Sequence, residues 1–155
     1  MTREELEHAV RAACDIAGDD AVFVFGSQSI LGQFPDAPAS LRMSAEADMT
    51  PVNFPERAES LNAIGEDSAF HRLHGFYLHG LLITEAAVIP RGWERRVVRL
   101  RNANTRYKAG MCLEVHDLAA SKLVAFREKD RDFVRVLLSE RMASPRKLIA
   151  RLRLL

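Results

Sequence analysis

Ala21-Val22-Phe23-Val24-Phe25 is a short apolar run rich in valine and phenylalanine that stops at Gly26-Ser27. Runs of this length and make-up form buried strands, and the small residues that follow let the backbone turn sharply. Working outward, Thr2-Arg3-Glu4-Glu5 has the capping-box pattern, and Leu6, Val10, Ala13 and Ala17 recur at helical spacing up to Gly18. A helix therefore precedes the strand. After the turn, Ser27 to Gly32 allows a brief helix, and Gln33 to Ser40, with Pro35 and Pro38, reads as a loop. Ser44 to Thr50 then alternates small or apolar residues with Glu46 and Asp48. Because side chains repeat every second residue along a strand, both carboxylates fall on one face.

Pro55 fits the first turn of a helix to about Ile64, Gly75 to Ile83 reads as a strand, and Pro90-Arg91-Gly92 makes a turn. Trp93 to Asn102 and Met111 to Val115 supply two more strands, whose pairing is not encoded locally. Asp117 is the expected N-cap of a helix carrying Leu118, Lys122, Ala125 and Phe126. The pattern breaks around Glu128-Lys129-Asp130 and resumes with Phe133, Val134 and Leu137, and Ser144-Pro145 opens a last, basic helix. The expectation is a single α/β (α+β) domain over residues 1–155: a mixed sheet flanked by helices, with a basic helical segment from about 117 to 155.

Composition agrees with one ordinary globular domain: 155 residues, 48% hydrophobic and 28% charged. Folding at this length removes roughly 70% of the chain's surface from water, so no disulfide or structural metal is required. Cys14 and Cys112 lie far apart in apolar surroundings, form no CxxC pair and read as buried reduced thiols. The N-terminal residues lack an apolar signal region, and no run approaches the ~18–20 apolar residues of a membrane span, so the expected location is cytoplasmic. Lys and Arg total 22 against 21 Asp and Glu, yet the halves differ. Residues 1–90 hold 5 basic and 14 acidic side chains, a net of −9, and residues 91–155 hold 17 basic and 7 acidic, a net of +10. One half suits cations and the other phosphates.

Gly26-Ser27 after a strand, followed by Glu46-Ala47-Asp48 on another, combines a turn able to hold phosphate oxygens with two carboxylates able to bind an oxygen-seeking cation. Taken alone, Gly26-Ser27 reads first as an ordinary strand-to-helix turn, whereas Glu46 and Asp48 suit a solvated strand face as well as a cation site. Together the two motifs resemble the signature of the nucleotidyltransferase superfamily: a strand ending in Gly-Gly or Gly-Ser, then an acidic-x-acidic strand. Arg42-Met43-Ser44-Ala45-Glu46-Ala47-Asp48 is similar to the Arg-x-Thr-x-Asp-x-Asp variant of the nucleotidyltransferase-like proteins of bacterial abortive-infection (AbiE type) toxin–antitoxin systems. Asp117 to Leu123 and Arg127-Glu128-Lys129-Asp130 resemble the lysine-bearing helix and Arg-x-Lys-Asp element of those proteins. The likeness spans about Val22 to Leu138, with Glu46 where aspartate is commoner and a longer connection from Ser27 to Glu46 than in the tightest members.

The resemblance implies metal held by Glu46 and Asp48, with Lys122 and Asp130 completing the catalytic set and Asp132 an alternative to Asp130. It implies an NTP held by Gly26, Ser27, Arg42, Lys122 and Arg127. The cofactor would be Mg²⁺ or Mn²⁺, and a third carboxylate is expected from Glu85 or Glu114, with Glu94 also near a strand end. The implied activity is transfer of a nucleotidyl group to a tRNA end, another RNA or a protein hydroxyl, in a cell where a cognate toxin–antitoxin partner is made. The alternative is a catalytically inactive binding or regulatory module of the same fold. Neither reading calls for DNA or a membrane.

His71, His74 and His79 read as surface or core-edge imidazoles, because no acidic or cysteine partner follows at a recognised metal-site spacing. Trp93 reads as a packing anchor. The arginines from Arg91 to Arg106 with Lys108, and those from Arg141 to Arg153, form two basic stretches. They suit a solvated face, RNA phosphates or, for the last helix, an acidic protein partner.

Overall fold

A computed structural model describes residues 1–155, and the five strands form one mixed sheet in the order β3-β2-β1-β5-β4. These are β1 (Ala21–Phe25), β2 (Glu46–Pro51), β3 (Tyr77–Gly80), β4 (Val98–Leu100) and β5 (Ala109–Cys112). The Val-Phe run is central: β1 pairs antiparallel with β2 and parallel with β5. Parallel β3 and antiparallel β4 complete the two edges. The expected α/β class with a mixed sheet is the observed one.

The strand period divides the sheet into two faces. Val22, Val24, Ala47, Met49, Leu78, Cys112 and Leu100 share the buried one. Helix α1 (Arg3–Ala17) covers it with Leu6, Val10 and Ala13, and its first turn carries the full capping box between Thr2 and Glu5. A run of 3-10 turns over Pro55–Ile64 lies against β2 and β3. There a Cβ on Gly80 would meet the Ala58 carbonyl oxygen at 1.9 Å, so only glycine permits this approach. The other face carries Phe23, Phe25, Asp48, Glu46, Tyr77 and His79, with Trp93 edge-on to Phe23 at 4.9 Å as a packing anchor.

Short α2 (Ile30–Gln33) follows the Gly26 turn, and α3 (Ala69–His74) and α4 (Ile83–Ala86) flank β3. Beyond the sheet lie α5 (Val115–Ala125), α6 (Glu128–Ser139) and α7 (Pro145–Leu152), with α6 and α7 both packed on α5. Ser144 caps α7, as its sequence anticipates. Residues from Leu6 to Leu148 contribute to one continuous hydrophobic core. No helix is long and apolar enough to cross a membrane. Cys14 and Cys112 are buried and reduced, and burial pushes both thiols up to about 12.

Four expectations are corrected: the strand expected over Trp93–Asn102 is confined to Val98–Leu100 after a 3-10 turn at Trp93–Arg95, the one expected over Met111–Val115 runs over Ala109–Cys112, and the other two concern α5 and α6. Asp117 does not cap α5: Glu114 does, accepting from the His116 backbone N–H at 3.0 Å, and the helix starts three residues earlier than a cap at Asp117 implies. Asp117 lies instead inside the first turn, fully buried, because it accepts from Arg96 Nε at 2.7 Å and Nη2 at 2.8 Å and has Arg151 Nε at 3.3 Å. The break between α5 and α6 falls at Phe126, in the left-handed conformation with φ of 52°, and Arg127. Asp130 lies within α6, where it accepts from the Arg127 backbone N–H at 3.3 Å and so satisfies one of the free donors at the helix start.

Candidate nucleotide and metal site

The sharp turn after β1 rests on Gly26, whose φ of 67° and ψ of −167° belong to a region that is nearly glycine's alone. A Cβ there would lie 2.2 Å from Asp48 Oδ2, so the missing side chain is also what admits the carboxylate. The register explains the contact, since Phe25 pairs with Asp48 across β1 and β2. Glu46 stands two residues back on the same face, as the alternation predicts.

On the far side of β2, register pairs Glu46 with Tyr77 and Asp48 with His79. His79 Nδ1 is 3.1 Å from Asp48 Oδ1 and 3.8 Å from Glu46 Oε1, and the Tyr77 hydroxyl donates to Glu46 Oε2 at 3.1 Å. One donor atom from each of Glu46, Asp48 and His79 falls within a 4.8 Å group able to hold a metal ion. Burial, then the Glu46 charge, push the Asp48 carboxyl up to about 6. Burial, followed by Glu46, also pushes the Tyr77 phenol up to about 12, keeping it a donor.

Lys122, near the end of α5, faces this cluster across a cavity of about 830 Å³. Its Nζ donates to Ser27 Oγ at 3.0 Å and to Asp130 Oδ1 at 3.3 Å, and lies 4.4 Å from the centre of the Phe133 ring. Burial lowers the Lys122 ammonium, against the opposing pull of Asp130. For Asp130, burial works upward but is outweighed by the hydrogen bond from Arg127 and the charge of Lys122, which hold it below the usual carboxylate range. Arg127 grips Asp130 through Nε at 2.6 Å while its side chain remains 62% exposed, so part of the guanidinium still faces the cavity.

Gly26, Ser27, Glu46, Asp48, Lys122, Arg127 and Asp130 therefore converge on one cavity. Arg42 does not line it: its Nε donates to the Ala37 carbonyl at 2.6 Å, and its own carbonyl accepts from the N-terminal amine. Neither Glu85 nor Glu114 nor Glu94 lines it either. Glu114 is occupied with His116, whose Nδ1 lies at 2.6 Å. Asp132 pairs with Arg135 on the exposed side of α6. His79 is the site residue that sequence reasoning missed. Its signal was the shared alternation of Tyr77 and His79, which needed the β2–β3 register to acquire meaning.

The basic stretches divide. Arg96 and Arg151 are consumed by Asp117, whereas Arg99, Arg101, Arg106 and Lys108 line a second hollow of about 390 Å³ beside Ala21, at the end of β1 opposite Gly26. Asp20 pairs with Lys108 there, and Asp15 approaches Arg106. His71 and His74 lie against Tyr77 and against His8 and Phe70, and neither joins the Glu46, Asp48 and His79 group.

Comparison of the chain with protein-family models, with curated proteins and with solved structures gave no match.

Proposed function

We propose that the chain is a metal-dependent nucleotidyltransferase-like protein that binds an NTP in this cavity and passes a nucleotidyl group to a hydroxyl of an RNA or a protein. The observation that carries the reading is the meeting of Glu46, Asp48 and His79 at the Gly26-Ser27 turn, across one cavity from Lys122 and Arg127. Its volume of about 830 Å³ suits a ligand of nucleotide size. The two carboxylates fit a divalent cation, Mg²⁺ or Mn²⁺, which when bound supplies positive charge to offset that of the transferring group.

The chain's own groups bind and orient. Lys122 Nζ has three N–H donors, of which Ser27 and Asp130 take two, leaving one for a phosphate oxygen. Asp130 and Phe133 hold that ammonium in place, so little freedom is lost when phosphate arrives. Arg127 offers its free N–H groups from the cavity rim, and the bare backbone at Gly26 allows close approach. In the transfer, the acceptor hydroxyl gives up its proton to water, its oxygen bonds to the α-phosphorus as the bond to the bridging oxygen breaks, and pyrophosphate leaves with that electron pair. A toxin–antitoxin pairing belongs to the same proposal through the sequence resemblance.

The third carboxylate expected from Glu85 or Glu114 is missing from the cavity, and His79 stands beside Asp48 instead, which favours binding without transfer as a second reading. Calorimetry of NTP binding tests the common part. Wild type is expected to bind at least tenfold more tightly with Mg²⁺ or Mn²⁺ than with chelator, and Asp48→Ala to lose that difference. Lys122→Met is expected to weaken binding under both conditions. Equal affinity with and without cation would sink the proposal, and transfer of labelled nucleotide to RNA or protein separates enzyme from binding module.

A further inference from the structure

Resting on the reading of Glu46 and Asp48 as cation ligands, we infer that His79 is the third ligand and sets the metal preference of the site toward a first-row transition cation such as Mn²⁺ over Mg²⁺. The donor set carries the argument. A cation ~2.1 Å from each ligand places neighbouring donors ~3.0 Å apart in an octahedron and ~3.4 Å apart in a tetrahedron. The 3.1 Å from His79 Nδ1 to Asp48 Oδ1 and the 3.8 Å to Glu46 Oε1 therefore need only small side-chain adjustments to close around an ion.

Mg²⁺ is hard, keeps its water and takes oxygen ligands, so an imidazole nitrogen adds little to its binding. First-row transition cations take an imidazole nitrogen beside carboxylate oxygens more readily than Mg²⁺ does, least so Mn²⁺ and increasingly toward Zn²⁺. The surroundings support the assignment. The hydrogen bond from Tyr77 occupies Glu46 Oε2 and leaves Oε1 on the side of His79, the arrangement that orients a ligating carboxylate. The His79 side chain is 47% exposed, so the remaining coordination positions open toward solvent and the cavity. That exposure also means its replacement leaves the core untouched.

Metal binding to the nucleotide-free protein tests this without reference to activity. Wild type and His79→Asp are titrated with Mn²⁺ and with Mg²⁺ at pH 7.5, by calorimetry and by electron paramagnetic resonance of Mn²⁺. Wild type is expected to bind Mn²⁺ at least tenfold more tightly than Mg²⁺, with a nitrogen coupling in the pulsed Mn²⁺ spectrum. His79→Asp, carrying three carboxylates, is expected to lose the nitrogen coupling and to narrow the Mn²⁺/Mg²⁺ ratio at least tenfold. Equal wild-type affinities, or a ratio and coupling unchanged in His79→Asp, would overturn the inference. Cation-dependent NTP binding that Asp48→Ala abolishes would then still uphold the functional reading. Absence of cation binding both with and without NTP would overturn both.

Discussion

Burial and the adjacent Glu46 carboxylate lift the Asp48 carboxyl to about 6, against the opposing pull of His79. A carboxyl raised in the folded protein contributes stability that is fully present below its unfolded value of ~3.9 and is lost as pH rises through its folded value. Above about 6 the metal-free fold therefore holds a charge it would be more stable without. Asp48→Asn keeps the shape and removes the charge. The metal-free variant is expected to be more stable than wild type at pH 7.5 by up to ~3 kcal/mol, and so to unfold at a higher temperature, with the difference fading toward pH ~4. Thermal unfolding followed by circular dichroism in the presence of chelator checks this, and a variant no more stable than wild type at pH 7.5 would contradict it. At this scale the sequence was partly legible. Glu46 and Asp48 share a face by the arithmetic of a strand, and the Gly26 turn was visible as a break in an apolar run. His79 was hidden because its meaning comes from a partner 31 residues away.

The segment Val115–Ala125 shows what local pattern leaves out at the scale of an element. An acidic residue ahead of Leu118 was readable as a cap, and α5 has an acidic cap, but it is Glu114. Asp117 is committed elsewhere by two arginines from distant parts of the chain, which no window around residue 117 contains. Through them it ties α5 to α7 and to the segment leading into β4. Removing one partner from a buried charge cluster leaves the others unpaired and costs about 3–5 kcal/mol. Asp117→Ala is accordingly expected to lose that much stability in urea denaturation, whereas Asp132→Ala, on the exposed pair with Arg135, is expected to change it by less than ~1 kcal/mol. Similar losses from both variants would contradict the assignment of Asp117 as a structural tie. Strands and helices were legible as elements because their periods are local. The sheet order was not, since pairing β1 between β2 and β5 depends on contacts across the whole chain.

Over the whole molecule, the charge division between residues 1–90 and 91–155 takes a more economical form than the totals of −9 and +10 suggest. Arg96 and Arg151 pair with Asp117 of their own half and Lys108 with Asp20 of the other, so three of the 17 basic side chains are engaged within the fold. Lys122 and Arg127 carry their charge to the cavity, and the acidic half meets them there with Glu46 and Asp48. The central claim is that a cation and a triphosphate occupy this meeting point together. Its most direct test is an anomalous-difference map from crystals grown with Mn²⁺ and a non-hydrolysable NTP. The account predicts one Mn²⁺ peak within ~2.2 Å of oxygens of Glu46 and Asp48, with the triphosphate lying between that ion and Lys122 Nζ. An Mn²⁺ peak away from both carboxylates, or a triphosphate bound outside the cavity between the Gly26 turn and α5, would contradict it.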